Sequence, residues 1–190
     1  MIYMLIVYRF VNKDFLFARF INWSRLQLKM LKLLCNIDYK LENYHDYKSP
    51  VIYAVKHESA WETISLVYIL NPAVYVLKQE LIKIPLFGKF LKTLHMISIN
   101  RNAGISAIKE LSKKSKEVIN DNKSIIIFPE GTRTKPGELG NIYSSGLYTL
   151  YKVNNIPVVP VFINSGSFWA RRSFIKKPGT VIVSFLDTIY

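Results

Sequence analysis

Apolar positions along this chain follow two rhythms. Short apolar runs at 51–56, 73–77, 96–100, 124–128, 158–163 and 180–186, rich in Val and Ile, read as strands. Between them, 60–70, about 79–94, 104–120 and about 144–153 space their apolar residues more widely, as helices do. Pro72, Pro85 and Gly104 punctuate the series. Strand and helix in alternation predict a single α/β domain with a largely parallel or mixed central sheet flanked by helices. Two prolines in the apolar run Ile156-Pro157-Val158-Val159-Pro160-Val161 argue against a central, fully hydrogen-bonded strand there.

The first 34 residues are different. Arg9, Lys13, Arg19, Arg25, Lys29 and Lys32 face the single acid Asp14, with Leu, Ile, Phe and Trp between them. Arg25, Lys29 and Lys32 stand at i, i+4 and i+7, one helical face. No window reaches the roughly 20 apolar residues of a spanning helix. The pattern predicts an amphipathic helical segment over 1–48 that lies in a membrane interface, ahead of a domain over 49–190. A helix packed on the domain's own core is the competing reading of the same stripe. Met1 to Phe10 is followed by no small-residue cleavage site, which argues against a signal peptide.

Charge narrows the partners. Lys and Arg number 26 against 13 acids, a net charge of +13 over 190 residues. Such a chain attracts anionic lipid, nucleic acid or acidic small molecules. The basic residues are scattered, and no zinc finger, helix-turn-helix or aromatic RNA platform is present, so nucleic acid is not expected. Cys35 is the only cysteine, which excludes an intrachain disulfide, and with three histidines it makes no metal-ligand spacing.

The chemistry concentrates at the end of one apolar run. Ile125 to Phe128 is followed by Pro129-Glu130-Gly131-Thr132-Arg133. Pro129 stops the strand because it has no N–H to donate, and Gly131 admits a backbone conformation that side chains resist. The resulting turn presents Glu130, Thr132 and Arg133 together, at the kind of strand end where α/β proteins place function. Arg133 supplies a planar donor fork suited to phosphate or carboxylate.

This run resembles the third motif of the glycerolipid acyltransferases, most closely the bacterial 1-acyl-sn-glycerol-3-phosphate (lysophosphatidic acid) acyltransferases. Three more stretches resemble that family in its own order. His57-Glu58-Ser59-Ala60-Trp61-Glu62 is similar to its HX4D block, with glutamate for aspartate. Gly88 through Arg101 resembles the second motif, with His95 where a glycine is usual and Asn100 where an aspartate is common. The run 156–161 resembles the fourth. A side chain at His95 either narrows an acceptor pocket or fills a turn.

Residues five apart on one helix stand about 140° apart and do not meet. His57 therefore belongs before the helix and Glu62 in its first turn. Ser59-x-x-Glu62 is a capping-box pattern, which puts Ser59 at the N-cap and turns the Glu62 carboxylate back toward His57.

The resemblance implies His57 as general base and Glu62 as its orienting acid. It implies Arg101 and Arg133 as ligands of an acceptor phosphate, with Glu130, Gly131 and Thr132 shaping the glycerol site. It implies transfer of a fatty acyl group from acyl-CoA or acyl carrier protein to the sn-2 hydroxyl of 1-acylglycerol-3-phosphate, giving phosphatidic acid. Neither a cofactor beyond that donor nor a metal is expected. The expected partners are lysophosphatidic acid, the acyl donor and an anionic membrane surface, at the cytoplasmic face of the cell membrane. A different lysophospholipid or aminolipid acceptor, and a non-catalytic basic binder, are the alternatives.

Two further features carry expectations. The loop 134–143, with Pro136, Gly137 and Gly140, is either a flap beside the turn or a plain connector. Arg171, Arg172, Lys176 and Lys177, near Trp169 and Phe174, suit either a lipid headgroup surface or a solvated loop. The chain ends at Tyr190 just after a strand, so the C-terminal cover is expected to be minimal or missing.

Overall fold

The computed structural model describes residues 13–190 apart from Leu86. The predicted rhythms resolve into seven strands: β1 (Ile37–Glu42), β2 (Ile52–Val55), β3 (Ala73–Lys78), β4 (Ile97–Ile99), β5 (Ser124–Ile127), β6 (Val158–Ile163) and β7 (Gly179–Phe185). The helices are α1 (Lys13–Cys35), α2 (Trp61–Ile69), α3 (Phe87–Thr93), α4 (Ile105–Asn120) and α5 (Ser144–Asn154). The strands form one sheet in the order β1-β7-β6-β2-β5-β3-β4. Five neighbours, β6, β2, β5, β3 and β4, run parallel. β7 is antiparallel to β6, and β1 is parallel to β7, so the sheet is mixed.

Helices cover the central strands, which is why these read as continuous apolar runs rather than alternating ones. Ile52, Ile125, Ile126 and Val159 are completely buried. On α4, Ala107, Leu111, Ser115 and Val118 line the inward face at helical spacing. On α1, Leu16, Ser24 and Leu28 are buried, with Phe20 and Leu31 packed partly against the core. The Ser24 hydroxyl donates to the Ile64 carbonyl, joining α1 to α2.

Three expectations are corrected. The stretch 1–48 contains β1, whose alternating Ile37, Tyr39 and Leu41 pair along β7, so the sheet begins upstream of residue 49. The helix expected over 79–94 is a 3-10 turn, Gln79–Lys83, followed by α3, because Pro85 interrupts it. The run around Pro160 is an interior strand after all. Its Val161 and Pro157 carbonyls face β2 and accept from Lys56 and Ile52. Pro160 faces the other side, where its carbonyl accepts from the Leu186 N–H and the ladder to β7 starts at Val161, so its missing N–H falls just outside that ladder. Of the two readings of His95, the turn is the one observed: the residue is exposed, at φ 57°, in the turn after α3. A left-handed position explains why glycine suits it and why histidine is tolerated. The reading of Met1 to Phe10 lies outside the described residues.

Ile126→Ala opens a cavity in the middle of β5, and it is expected to cost about 2–5 kcal/mol in a denaturant unfolding titration.

Candidate active site

The parallel strands β2, β5 and β4 all finish at one edge of the sheet, and the motifs follow them. His57 follows β2, the turn 128–133 follows β5, and Arg101 follows β4. This edge is where open α/β sheets bind ligands.

A buried carboxylate joins the first two. Glu130 Oε2 accepts the His57 backbone N–H at 2.7 Å, and Oε1 accepts from Lys56 Nζ at 3.1 Å. The His57 carbonyl in turn accepts from the Thr134 N–H at 2.9 Å and the Thr134 hydroxyl at 3.1 Å. Lys56 Nζ also donates to the Glu138 carbonyl at 2.8 Å and lies 3.5 Å from Glu58 Oε1. Glu58 Oε2 accepts from the Gly166 N–H at 3.2 Å, reaching the turn after β6. Burial raises the Glu58 pKa, opposed by the Lys56 charge and by the backbone N–H groups of Gly166 and Gly137. The loop 134–143 is therefore pinned to the site by Thr134 and Glu138 rather than hanging beside it, and the Tyr143 N–H closes it on the Pro129 carbonyl at 2.8 Å.

Glu62 is completely buried and bends back over the start of α2. Its carboxylate accepts the N–H groups of Glu58 at 2.6 Å and Ser59 at 2.9 Å. Half of the expected capping box is thus present. Ser59 does not return the bond to residue 62; its hydroxyl accepts from the Trp61 N–H at 3.1 Å, and Ala60 occupies the N-cap. The same carboxylate lies 3.7 Å from His57 Nδ1, an ion-pairing distance outside hydrogen-bond range. Nδ1 is buried with no hydrogen-bond partner.

The imidazole stacks on Phe128 with ring centres 4.0 Å apart, and Phe128 stacks on Tyr75 at 6.1 Å. Tyr75 donates to the Glu62 carbonyl at 2.9 Å. Burial pushes its phenol pKa far up, which keeps that donor protonated. The aromatic stack thus runs from the imidazole to the backbone of Glu62. With Nδ1 turned inward, Nε2 is the nitrogen available to solvent.

It is available to a cavity of about 540 Å³ that His57, Arg101, Gly131, Thr132 and Arg133 line together. The Arg101 guanidinium donates to the Gly131 carbonyl at 2.5 Å. Desolvation there lowers its pKa from the ordinary arginine value, against the opposing pull of Glu80 and Tyr143. Gly131 has φ 67°, and a Cβ at that position would strike the same guanidinium. Glu130, expected among the glycerol-shaping residues, lies behind the wall as the lock just described. His95 does not line the cavity.

Sequence reasoning gave no role to Lys56, Phe128 or Tyr75, and placed Arg171 only in a surface cluster. Arg171 lines the cavity and donates to the Arg133 carbonyl at 3.0 Å. Its membership of a site could not be read from spacing, since 38 residues separate the two arginines. The apolar wall comes from Phe90, Leu91 and Met96 and, from α1, Phe20 and Trp23.

The family model described as Acyltransferase matches residues 36–164. The chain belongs to the acyltransferase family. The chain is 34% identical over 164 residues to the 1-acyl-sn-glycerol-3-phosphate acyltransferase of Pseudomonas aeruginosa, covering 85% of the chain and 63% of that protein. It is 27% identical to the protein of the same name from Saccharomyces cerevisiae, covering 87% of the chain and 56% of the relative. The chain thus spans less than two thirds of these curated relatives. The crystal structure of the 1-acyl-sn-glycerophosphate acyltransferase from Thermotoga maritima shares the fold, with a TM-score of 0.74 and 18% identity over 98% of this chain and 76% of that one.

Lys56→Met is expected to leave Glu58 and Glu130 buried without their cation, at a cost of about 3–5 kcal/mol in urea unfolding. Loss of less than about 1 kcal/mol, the scale of an exposed ion pair, would show that the lock does not hold the two strand ends.

Proposed function

We propose that the protein transfers a fatty acyl group from the thioester of acyl-CoA or acyl carrier protein to the sn-2 hydroxyl of 1-acyl-sn-glycerol-3-phosphate. The observation that carries this reading is one cavity shared by a carboxylate-backed imidazole, three guanidinium groups and an apolar wall. A guanidinium cluster suits a phosphate monoester, and the apolar wall suits acyl chains. The names of the relatives support the same substrate class.

His57 Nε2 removes the hydroxyl proton as the oxygen attacks the thioester carbonyl. Such general-base help contributes roughly 10²–10⁴-fold. The imidazolium that forms is stabilised by the Glu62 carboxylate beside Nδ1, which also fixes the ring's orientation as in hydrolytic triads. Ser59 and Ala60 stand at the cavity wall at the amino end of α2, so the positive end of that helix faces the developing oxyanion. Collapse breaks the carbon–sulfur bond, the ester stays on the acceptor, and the proton held by His57 returns to the departing thiolate. No acyl-enzyme is needed.

The proposed setting is the cytoplasmic face of the cell membrane, with α1 as a docking element. None of the described helices is long and apolar enough to cross a membrane. Opposite the buried stripe of α1, Leu26, Met30 and Leu33 are exposed at 52%, 40% and 78%. Arg25, Lys29 and Lys32 flank them, also exposed. Helices of this pattern lie in the interface of anionic bilayers.

Acceptor-dependent thiol release from acyl-CoA in detergent or membranes tests the chemistry. With 1-acylglycerol-3-phosphate, His57→Ala is expected to lower kcat by roughly 10²–10⁴-fold. Arg101→Ala is expected to raise the acceptor KM by about tenfold, the scale of one lost charge-assisted bond. Absence of product from this acceptor would reject the assignment. For docking, Leu26→Ser with Leu33→Ser is expected to weaken sedimentation with anionic vesicles by about tenfold; unchanged sedimentation would remove α1 from the membrane contact.

A further inference from the structure

The loop between β6 and β7 carries a second surface that the proposed chemistry does not use. Phe174 is 98% exposed and Ile175 75% exposed. Around them, within seven positions, stand Arg171, Arg172, Lys176 and Lys177, with no acid among them.

This loop is braced, so the exposure is built in. The Lys177 N–H donates to the Phe168 carbonyl at 2.8 Å, closing the loop at its base. The Ser173 N–H donates to the Ala170 carbonyl at 3.1 Å, and Trp169 Nε1 donates to the Ser173 carbonyl at 3.1 Å. The Ser173 hydroxyl accepts from the Ile175 N–H at 3.1 Å. Lys176 Nζ stands 4.3 Å from the centre of the Trp169 ring. Arg172 holds φ 60°, a left-handed conformation that an arginine adopts only where its surroundings impose it. A folded tip thus presents two large apolar side chains to water, with basic residues on either side of them in sequence. The base of the same loop reaches the cavity, because Arg171 lines it and bonds the Arg133 carbonyl.

We propose that loop 171–177 is a bilayer-docking wedge, distinct from α1. Phe174 and Ile175 enter the apolar layer of an anionic membrane, and Arg172, Lys176 and Lys177 contact headgroup phosphates. The charge is complementary to an anionic surface, and two apolar side chains beside basic residues are the combination that interfacial insertion uses. The wedge holds the arginine-lined end of the cavity at headgroup level, where a membrane-resident phosphate lies. The inference extends the acyl-transfer reading by supplying the surface that holds the acceptor, but its test does not need catalysis.

The test is sedimentation of the full chain, and of the full chain carrying His57→Ala, with vesicles of phosphatidylglycerol and phosphatidylcholine. Phe174→Ser with Ile175→Ser is expected to weaken binding by about tenfold or more in both backgrounds, since two buried apolar side chains are lost. Wild-type binding is expected to fall with added salt and with phosphatidylcholine alone. Phe174→Trp reports insertion directly: vesicles of brominated lipid are expected to quench it beyond the quenching of the wild-type protein. Loss of vesicle binding without detectable acyl transfer would support the wedge while rejecting the chemistry. Vesicle binding equal to wild type in the double-serine variant, or an unquenched tryptophan at 174, would overturn the wedge. So would unchanged vesicle binding accompanied by lost binding of acyl carrier protein, which would make the loop a protein contact instead.

Discussion

The site depends on one buried carboxylate. Glu130 accepts the backbone N–H of His57 with one oxygen and the ammonium of Lys56 with the other, so the ends of β2 and β5 are held as a unit. A buried ion pair adds little net stability over an apolar substitute, because desolvation offsets most of its attraction. Its effect here is on geometry. The peptide of His57 is gripped from both sides, by Glu130 on its N–H and by Thr134 on its carbonyl. That leaves the ring to be set by Phe128 below and Glu62 beside it. The acid motif residue and the histidine motif residue therefore act on each other through the backbone before either meets a substrate.

The cavity beyond them has two characters. Cationic groups come from three separate strand ends: Arg101 after β4, Arg133 after β5 and Arg171 after β6. The apolar wall comes from α1 and α3 and the turn after α3. An amphiphile with an anionic head matches that division. α1 serves both sides of the problem, since its inner face supplies Phe20 and Trp23 to the cavity while its outer face leaves Leu26, Met30 and Leu33 in solvent. The two readings of its sequence, core packing and membrane contact, are therefore not exclusive: a helix of 23 residues has room for a stripe on each side.

Most elements were legible because each buries a continuous or periodic set of apolar residues. The misreadings share a cause. Pro160 looked incompatible with an interior strand, yet a strand's N–H groups point alternately to its two neighbours, and which neighbour a given residue faces is a property of the sheet. The motif leaves His95 between a pocket wall and a turn, and its left-handed position puts it in the turn, exposed. Ser59 was correctly placed at the start of a helix, while the partner of its hydroxyl moved by one residue because the helix begins at Trp61.

Local order alone determined the α/β class, the strand before each motif, the stop at Pro129, the turn at Gly131 and the placement of Glu62 in a first helical turn. These follow from interactions between residues within a few positions of one another, where backbone stereochemistry and apolar periodicity leave few choices. Tertiary structure alone decided that Glu130 is a buried lock rather than a wall of the glycerol site, that Lys56 joins it, and that Arg171 enters the cavity from a distant loop. Those outcomes depend on which strand ends become neighbours in the sheet, and strand order is set by the burial of whole surfaces rather than by any short stretch of chain.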